Sequence, residues 1–474
     1  MNVSFFQELL TTVAEQGRAL LPKSLFGPNE RDDVQELARA LISGRGEASG
    51  VAIARALLDR YRLLAPEERT AFFRYLSEAM QPDAGDVAAA SRAYLAEPGN
   101  EALAKLRSAV EGKRQELFRR LNLAPGATAQ IVAMRNDLLN EQPRPDLNLA
   151  GVDADLRHLF QSWFNRGFLV LRRIDWQTPA SILEKIIAYE AVHEISGWDD
   201  LRRRLDPADR RCFAFFHPSL IDDPLIFVEV ALTTDVPAAI SPLLKGERKL
   251  RPGEAPTTAV FYSISNCQPG LRGISFGNFL LKQVVEDLAR EIPSLKTFVT
   301  LSPVPHFARW LDRLIASDPA GVISPEDREM LTALLDPRWH RAIDANEDLQ
   351  DAVLAQAAQY FMAAKSADNR PVDPVARFHL GNGARLERIN WLADTSEKGL
   401  RAAHGLMVNY RYDLKEIERN HEGYANDGTV AASRAVKALL RAPAKAKAMT
   451  ADTAQKPLLA LSDDRAAPRG KDPR

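Results

Sequence analysis

The sequence has few of the residues from which disulfide frameworks and metal sites are built. Its 474 residues include only two cysteines, Cys212 and Cys267. A disulfide scaffold or an all-thiolate zinc or iron–sulfur site needs more sulfur than this. The eight histidines form no i,i+4 pair and no H-E-x-x-H pattern, so no metal site is predicted. We expect reduced cysteines, with Cys267, beside a glycine-bearing loop, the more exposed of the two.

The sequence also lacks an excess of charge and any long apolar run. Lys and Arg total 62 against 63 Asp and Glu, a formal net charge of −1. This balance disfavours non-specific electrostatic binding of the whole protein to nucleic acid or anionic lipid. No apolar stretch approaches the roughly 20 residues of a membrane helix. The N-terminus has neither the basic segment nor the apolar segment of a signal peptide. These absences predict a cytoplasmic protein with no nucleic-acid or membrane partner.

The apolar pattern changes part-way along the chain. Before residue 160, apolar residues recur at helical spacing, as in Val34, Leu37 and Leu41, and the pattern continues through Leu103, Leu106 and Val110. At roughly 150 residues per domain, the length fits two or three domains. We predict an α+β protein with an all-α helical domain at 1–160, an α/β domain at 161–440, and a basic tail at 441–474 whose composition is typical of disorder.

The second domain shows short β-type runs between helical patterns. Strands are predicted from enrichment in Phe, Val and Ile, and helices from apolar stripes. The predicted strands span residues 167–171, 212–216, 225–232, 258–263 and 297–301, and the predicted helices span 182–189, 278–290 and 307–315.

A glycine-bearing loop, Gln268–Gly277, lies between a predicted strand and a predicted helix. Glycines allow backbone amides to approach a ligand closely, and a helix N-terminus attracts anions. Arg272 offers a charge-assisted contact. The loop therefore has the chemistry of a pyrophosphate cradle, although a plain glycine-rich turn would give the same pattern. Gly273–Gly277 also matches the G-x-S-x-G nucleophile elbow, which we disfavour because Pro269 and Gly270 keep the strand from running into the serine.

Three further positions stand at places where ligands often bind. Ser302 follows a predicted strand and is followed by Pro303 and Pro305, and strand ends in α/β sheets are common ligand sites. His379 lies between apolar neighbours just before a turn, and Tyr410 and Tyr412 lie in a predicted strand. From the residues alone, a strand-terminating turn, a structural histidine and core tyrosines explain these positions equally well or better.

Several collinear segments resemble the malonyl-CoA decarboxylase family. The similarity runs from about residue 120 to about residue 425 and is least distinct at the termini. The segments are Trp163–Leu169, Ala191–Ile195, Asp209–His217, Pro224–Thr233, Phe261–Ser265, Gly270–Gly273, Leu301–Pro305, Asp373–Gly383, Arg388–Asp394 and Gly405–Tyr412.

The resemblance implies a helical N-terminal domain used for oligomerisation and a catalytic domain with the GNAT, or acetyltransferase-like, fold. It implies conversion of malonyl-CoA to acetyl-CoA and carbon dioxide without an organic cofactor, by a homo-oligomer that we expect to be a dimer or tetramer. By motif, the family's catalytic serine, histidine and tyrosine fall on Ser302, His379 and Tyr412. The CoA-binding residues fall on the loop, namely on Gly270, Arg272, Gly273, Ile274, Ser275, Phe276, Gly277 and Asn278.

Two features depart from relatives in this family. Animal members carry an acidic residue where Ser275 stands, so no role of that carboxylate is carried over to this chain. The C-terminal Ser-Lys-Leu address of some relatives is also missing, since the chain ends in Lys-Asp-Pro-Arg.

These residues suggest a mechanism based on an enolate. Loss of carbon dioxide leaves negative charge on the thioester, which backbone N–H groups near the strand ends would stabilise. We expect Ser302 to orient the malonyl carboxylate and Tyr412 to position that carboxylate or His379. His379 is the expected proton donor, as an imidazolium that titrates near neutral pH.

Two other functions use the same loop. A GNAT-type acyltransferase would transfer the acyl group to an amine without decarboxylation. A non-enzymatic acyl-CoA-binding scaffold would bind CoA esters and leave malonyl-CoA intact.

Overall fold

The computed structural model describes residues 33–440, apart from residues 45, 142–144, 246–253, 275, 277–279, 319–320, 322, 337, 342–346 and 368. The chain divides into two compact units. Unit 1 comprises Met1–Arg172, Ala214–Ile226 and Asn266–Gly277. Unit 2 comprises Arg173–Phe213, Phe227–Ser265 and Asn278–Arg474. The expected tail at 441–474 lies outside the described residues.

Unit 1 is built mainly of helices. They are α1 Val34–Leu41, α2 Glu47–Arg62, α3 Pro66–Glu78, α4 Ala84–Ala96, α5 Asn100–Val110, α6 Lys113–Leu121, α7 Ala127–Glu141 and α8 Ala150–Trp163.

Local sequence explains how several of these helices begin and which faces they bury. The Asp33 carboxylate accepts a hydrogen bond of 2.9 Å from the Gln35 amide and caps α1. Val34, Leu37 and Leu41 on that helix are buried, as their spacing predicts. Helix α5 also lies where the spacing of Leu103, Leu106 and Val110 predicts a helix, but neither α4 nor α5 buries a residue. Leu103 and Val110 are 40% and 49% exposed, since these two helices pack mainly on each other.

The rest of the chain alternates strands and helices. The strands are β1 Val170–Ile174, β2 Arg210–Phe216, β3 Pro224–Thr233, β4 Thr258–Asn266, β5 Thr297–Thr300, β6 Ser302–Pro303, β7 Arg385–Asn390 and β8 Met407–Arg411. The helices are α9 Ala180–Tyr189, α10 Trp198–Leu205, α11 Ser241–Leu244, α12 Leu280–Glu291, α13 Phe307–Ala316, α14 Pro325–Leu331, α15 Glu347–Met362, α16 Pro374–Gly381, α17 Glu397–Ala403, α18 Ile417–Asp427 and α19 Arg434–Ala438.

The strands form one mixed, eight-stranded sheet. Its order is β1-β2-β3-β4-β5-β8-β6, with β7 paired to β8 beside this path. Strands β4 and β5 run parallel, with Phe261 opposite Thr300. Strand β8 is antiparallel to β5, β6 and β7. Within unit 2, Val260, Val299, Leu301 and Met407 belong to one buried cluster, so the strands that end near Ser302 are anchored in the core.

The predicted class, an all-helical first part followed by a mixed α/β part, is confirmed. The predicted helices and strands of the second part appear at the expected places, with small shifts in their ends. The largest error is at Gly167, which lies in a 3-10 turn, Arg166–Phe168, because the Asn165 side chain accepts the Gly167 amide hydrogen bond and delays the strand to Val170. The predicted strand at 258–263 continues to Asn266.

The structure also bears on the predicted exposure of the cysteines and on the predicted lack of membrane-spanning helices. Cys212 and Cys267 are 0% and 1% exposed, so both thiols are buried and the predicted difference in exposure between them is negligible. Within the described ranges, no helix combines the length and apolar character needed to cross a membrane.

Candidate active site

Ser302, His379 and Tyr412 form a buried chain of hydrogen bonds in unit 2. The Ser302 Oγ lies 3.0 Å from His379 Nε2, and His379 Nδ1 lies 2.8 Å from the Tyr412 hydroxyl. The three residues are 5%, 2% and 1% exposed. The structure therefore brings together three residues that are far apart in the sequence.

Ser302 is positioned by the sheet. It stands opposite Val408 in the β6–β8 pairing. The preceding Leu301 amide donates to the Phe261 carbonyl at 2.9 Å, which ties the chain to β4 after β5 has ended. The prediction that Ser302 lies at the carboxyl end of a strand is confirmed, because β5 ends at Thr300.

His379 is held in the last turn of α16. Asp373 caps the helix by accepting a 2.8 Å hydrogen bond from the Ala376 amide, and the Ala384 amide donates to the His379 carbonyl at 3.0 Å. Gly383, in the turn between His379 and Ala384, has φ +80°, and a Cβ there would lie 2.2 Å from the Ile417 carbonyl oxygen. Only glycine fits this turn, which fixes the direction of the chain directly after the histidine.

The two tyrosines of the Asn409–Tyr412 segment have different places. Tyr412 follows β8, and its amide donates to the Phe298 carbonyl at 2.8 Å. Tyr410 lies within β8, and its ring stacks on the imidazole of His379 with 4.5 Å between centroids and 24° between planes. The sequence left both as possible core residues. The structure places Tyr412 in the hydrogen-bonded chain and Tyr410 against the face of the histidine.

Burial keeps the titratable members of this chain neutral. It lowers the pKa of His379 to about 3 and raises the pKa of Tyr412 well above its ordinary value, because both charged forms lose water. The expectation of an imidazolium that titrates near neutral pH is therefore wrong. His379 is an uncharged imidazole that donates through one nitrogen and accepts through the other.

The direction of the hydrogen bonds follows from a fourth residue, Thr300. The Ser302 hydroxyl donates to Thr300 Oγ1 at 2.8 Å. Ser302 has a single proton, so its oxygen accepts from His379 Nε2–H, and Nδ1 is left to accept from the Tyr412 hydroxyl. In this arrangement, Tyr412 donates to His379, His379 donates to Ser302, and Ser302 donates to Thr300.

The glycine-bearing loop lies in unit 1 and is held by a buried arginine of α7. Arg135 is 1% exposed, and its Nη1 donates to the carbonyls of Gly270 and Arg272 at 2.6 Å and 2.9 Å. Its Nε donates to Asp153 at 2.8 Å. A Cβ at Gly270 would lie 2.0 Å from the Val132 carbonyl oxygen, so this glycine permits the close approach of loop and helix.

The other loop positions are only partly described. Pro269–Leu271 forms a 3-10 turn after β4, so no strand leads into Ser275 as a nucleophile elbow requires. The side chain of Arg272 is exposed, Ile274 is buried and Phe276 is half-buried, while Gly273 has φ +76°. The Ile274 amide donates a hydrogen bond of 3.0 Å to the Leu271 carbonyl, so this amide is used within the turn. Ser275, Gly277 and Asn278 lie outside the described residues.

Sequence reasoning missed Thr300 and Arg135. Thr300 precedes Ser302 by two residues, the spacing that places side chains on one face of a strand. Arg135 interrupts the buried stripe of Ile131, Met134 and Leu138 in α7, and a charged residue on an apolar face is the available signal for a buried partner.

No group of three or more His, Cys, Asp or Glu residues arranged to bind a metal ion occurs among the described residues.

Comparison with known proteins agrees with the resemblance seen in the motifs. The family model of the malonyl-CoA decarboxylase C-terminal domain matches residues 167–450, and that of the N-terminal domain matches residues 80–164. The mitochondrial malonyl-CoA decarboxylase of Rattus norvegicus is 35% identical over 362 residues, which cover 71% of this chain and 73% of the relative.

Solved structures agree with the sequence comparison. The crystal structure of malonyl-CoA decarboxylase from Rhodopseudomonas palustris is 54% identical, covers 86% of this chain and 99% of that one, and superposes with a TM-score of 0.83. That from Agrobacterium vitis is 57% identical, covers 86% and 100% of the two chains, and has a TM-score of 0.80. Matches of this extent show that the chain belongs to the malonyl-CoA decarboxylase family.

Proposed function

We propose that this chain converts malonyl-CoA to acetyl-CoA and carbon dioxide, with Ser302, His379 and Tyr412 as its proton-handling residues. The observation that carries the proposal is the buried, uncharged chain of hydrogen bonds that ends at Ser302, where the Oγ is 3.0 Å from His379 Nε2. Such a chain delivers a proton, and decarboxylation of a malonyl thioester creates a carbon that needs one.

The reaction breaks one carbon–carbon bond and forms one carbon–hydrogen bond. The electron pair of the breaking bond moves into the thioester as an enolate, and carbon dioxide leaves. The enolate carbon then takes a proton and becomes the methyl group of acetyl-CoA. Each turnover consumes one proton, which the site recovers from water.

Ser302 is the residue of the three that contacts the substrate. It is the most exposed of them, at 5% against 2% for His379 and 1% for Tyr412. Its hydroxyl orients the malonyl carboxylate out of the thioester plane and then gives its proton to the enolate carbon. His379 then gives its Nε2 proton to Ser302, and the Tyr412 hydroxyl in turn gives its proton to His379 Nδ1.

An uncharged imidazole is sufficient as the donor behind Ser302. A thioester enolate is a far stronger base than a serine alkoxide, so proton transfer from the hydroxyl is downhill. A neutral histidine that acts as a hydrogen-bond donor has precedent in enolate chemistry. The depressed pKa of His379, about 3, also keeps imidazolium from forming an ion pair with the malonyl carboxylate, which must be free to leave as carbon dioxide.

The loop of unit 1 supplies the anchor for coenzyme A. We assign pyrophosphate binding to Gly270, Arg272, Gly273, Ile274, Ser275, Phe276, Gly277 and Asn278, because glycines allow backbone amides to approach a phosphate closely. Arg272 adds an exposed guanidinium. Binding energy from this part of the substrate, which is remote from the reacting carbon, is available to orient the malonyl group.

We expect the reaction to need no organic cofactor, because the thioester carbonyl itself accepts the electron pair. We also propose a cytoplasmic location and a homo-oligomer, either dimer or tetramer, assembled through the helical part at 1–160. Light scattering of the purified protein measures the subunit number.

Incubation of the purified protein with malonyl-CoA in D₂O tests the proposed function. The expected product is acetyl-CoA that carries one deuterium in its methyl group, detected by mass spectrometry. Acyl transfer to an added amine without carbon dioxide release would identify an acyltransferase instead. Binding of malonyl-CoA without any product would identify a scaffold. Ser302→Ala should abolish product formation, whereas Ser77→Ala, in α3 of unit 1, should not.

A further inference from the structure

Thr300 is a buried neighbour of Ser302 that is itself held by hydrogen bonds from β8. It is the last residue of β5 and is 0% exposed. The backbone amide of Tyr410 donates to its Oγ1 at 3.1 Å, and the side chain of Asn409 donates to its carbonyl at 2.7 Å. Both polar ends of Thr300 are therefore held by β8.

The hydroxyl of Ser302 lies between two acceptors that compete for its proton. One is Thr300 Oγ1 at 2.8 Å, and the other is His379 Nε2 at 3.0 Å. A serine hydroxyl has one proton and donates to one partner at a time. While it donates to Thr300, it can only accept from His379.

We propose that Thr300 is a positioning residue that sets the direction of the proton chain, by holding the Ser302 proton away from His379 Nε2. This inference rests on the proposed function. With Thr300 present, His379 carries its proton on Nε2 and serves as a donor. Without the Thr300 hydroxyl, Ser302 turns its proton to Nε2, His379 moves its proton to Nδ1, and Tyr412 becomes the acceptor.

The reversed chain has the polarity of a serine hydrolase. In those enzymes a carboxylate holds the proton on the histidine nitrogen remote from serine, so that the histidine takes the serine proton. Here the hydroxyl of Tyr412, in the place of the carboxylate, and Thr300 beyond the serine favour the opposite arrangement. Thr300 thus distinguishes a site that gives protons from one that removes them.

Three variants test this assignment by their kinetics. Thr300→Val keeps the shape of the side chain and removes the hydroxyl, so kcat for acetyl-CoA formation should fall about 10-fold to 100-fold while KM stays within about twofold. Thr300→Ser keeps the hydroxyl and should retain kcat within about threefold. Thr297→Val, on the same strand and outside the proton chain, should match the wild type.

The position of the proton on His379 gives a readout that a purely structural role would not move. Nitrogen NMR of protein labelled with ¹⁵N-histidine, with the His379 signals assigned by their loss in His379→Gln, should show the Nε2–H form in the wild type and in Thr300→Ser. Thr300→Val should show the Nδ1–H form. Melting temperatures of all variants control for loss of fold.

The outcomes separate this inference from the proposed function. A wild type that does not decarboxylate malonyl-CoA overturns the proposed function. An active wild type with the proton of His379 on Nδ1 overturns the role of Thr300, even if Thr300→Val does not fold. The role of Thr300 is also overturned if Thr300→Val is active with unchanged kcat and its His379 still carries the proton on Nε2.

Discussion

The glycine-bearing loop of unit 1 and the proton chain of unit 2 are held in place by opposite means. The loop carbonyls are bound by the charged Arg135, whose guanidinium also pairs with Asp153. The proton chain runs through uncharged groups only, from Tyr412 to Thr300. Arg135 fixes the loop backbone by binding two of its carbonyls. In the uncharged chain, Ser302 and His379 each donate one hydrogen bond and accept another.

Removal of the central histidine should give the largest effect. His379→Gln keeps a polar side chain but cannot accept at one ring nitrogen while donating at the other, so kcat should fall about 10²-fold to 10⁴-fold with little change in KM. The rate of acetyl-CoA formation measures this. His158→Gln, at an exposed position of α8, is the control, and a His379→Gln enzyme with wild-type kcat would remove the proton chain from the mechanism.

Loss of the arginine that holds the loop should affect substrate binding instead. Arg135→Met leaves the carbonyls of Gly270 and Arg272 without their donor, so KM for malonyl-CoA should rise about tenfold while kcat changes little. The matched control is Arg204→Met, which breaks a similarly buried ion pair with Asp200 and Glu229 in unit 2.

Both arginine variants should lose up to about 3 kcal/mol of unfolding free energy, because Arg204→Met leaves the buried Glu229 carboxylate without its partner and Arg135→Met does the same to the half-buried Asp153. Urea unfolding measures this loss. Only Arg135→Met should raise KM. An equal rise in both variants would mean that KM follows general stability and that Arg135 has no special relation to the loop.

The same substitution, glycine to alanine, can be made both in the glycine-bearing loop and next to the proton chain. A Cβ at Gly270 would meet the Val132 carbonyl at 2.0 Å, and one at Gly383 would meet the Ile417 carbonyl at 2.2 Å. Each alanine variant should destabilise its region by about 1–3 kcal/mol. We expect Gly270→Ala to raise KM and Gly383→Ala, next to the turn after His379, to lower kcat.

Gly126→Ala, outside the loop, is the control for this pair. Gly126 has φ +69° but no heavy atom within 4 Å of the added carbon among those described, so only backbone strain of about 1 kcal/mol is expected. Identical kinetic profiles for Gly270→Ala and Gly383→Ala would contradict the separation of binding from proton transfer.

The neutral state of His379 should appear in the pH dependence of stability. Its pKa is about 3 in the folded protein, against about 6.5 when unfolded. Between these values the unfolded chain binds a proton that the folded chain does not, so the free energy of unfolding rises with pH. The contribution of His379 amounts to about 1.4 kcal/mol per pH unit and is complete above about pH 6.5.

Urea unfolding at about pH 5 and about pH 7.5 measures this slope. His379→Gln should be less sensitive to acid than the wild type. Part of the slope remains in the variant, because burial also lowers the pKa of His193, to about 4. An unchanged slope in His379→Gln would show that the folded protein carries imidazolium at this position.

Tyr412→Phe should give the smallest kinetic effect. It removes one neutral hydrogen bond to His379 Nδ1, for which about 1 kcal/mol or about fivefold in kcat is expected. Steady-state decarboxylation assays measure this loss. Because Thr300 still holds the Ser302 proton, His379 should keep its proton on Nε2, which the ¹⁵N-histidine spectrum reports. A loss as large as that of His379→Gln would mean that Tyr412 contacts the substrate.

Local patterns predicted β5 and the glycine-bearing loop from short segments, and the motifs pointed to Ser302, His379 and Tyr412. They did not predict α16, which carries His379, or the neighbouring β7. At Leu103 and Val110 the helix is present but these residues are exposed, because helical spacing shows which residues share a face but not whether another element covers it.

The sequence alone therefore determined the fold class, the family and the residue types available for chemistry. Tertiary structure decided that His379 is uncharged, that Arg135 binds the loop carbonyls and that Thr300 accepts a hydrogen bond from Ser302. The physical reason is that desolvation and hydrogen-bond direction depend on groups distant along the chain. Ser302 and His379 are 77 positions apart, and Arg135 and Gly270 are 135 positions apart, so only folding brings into contact the atoms that set each proton and each charge.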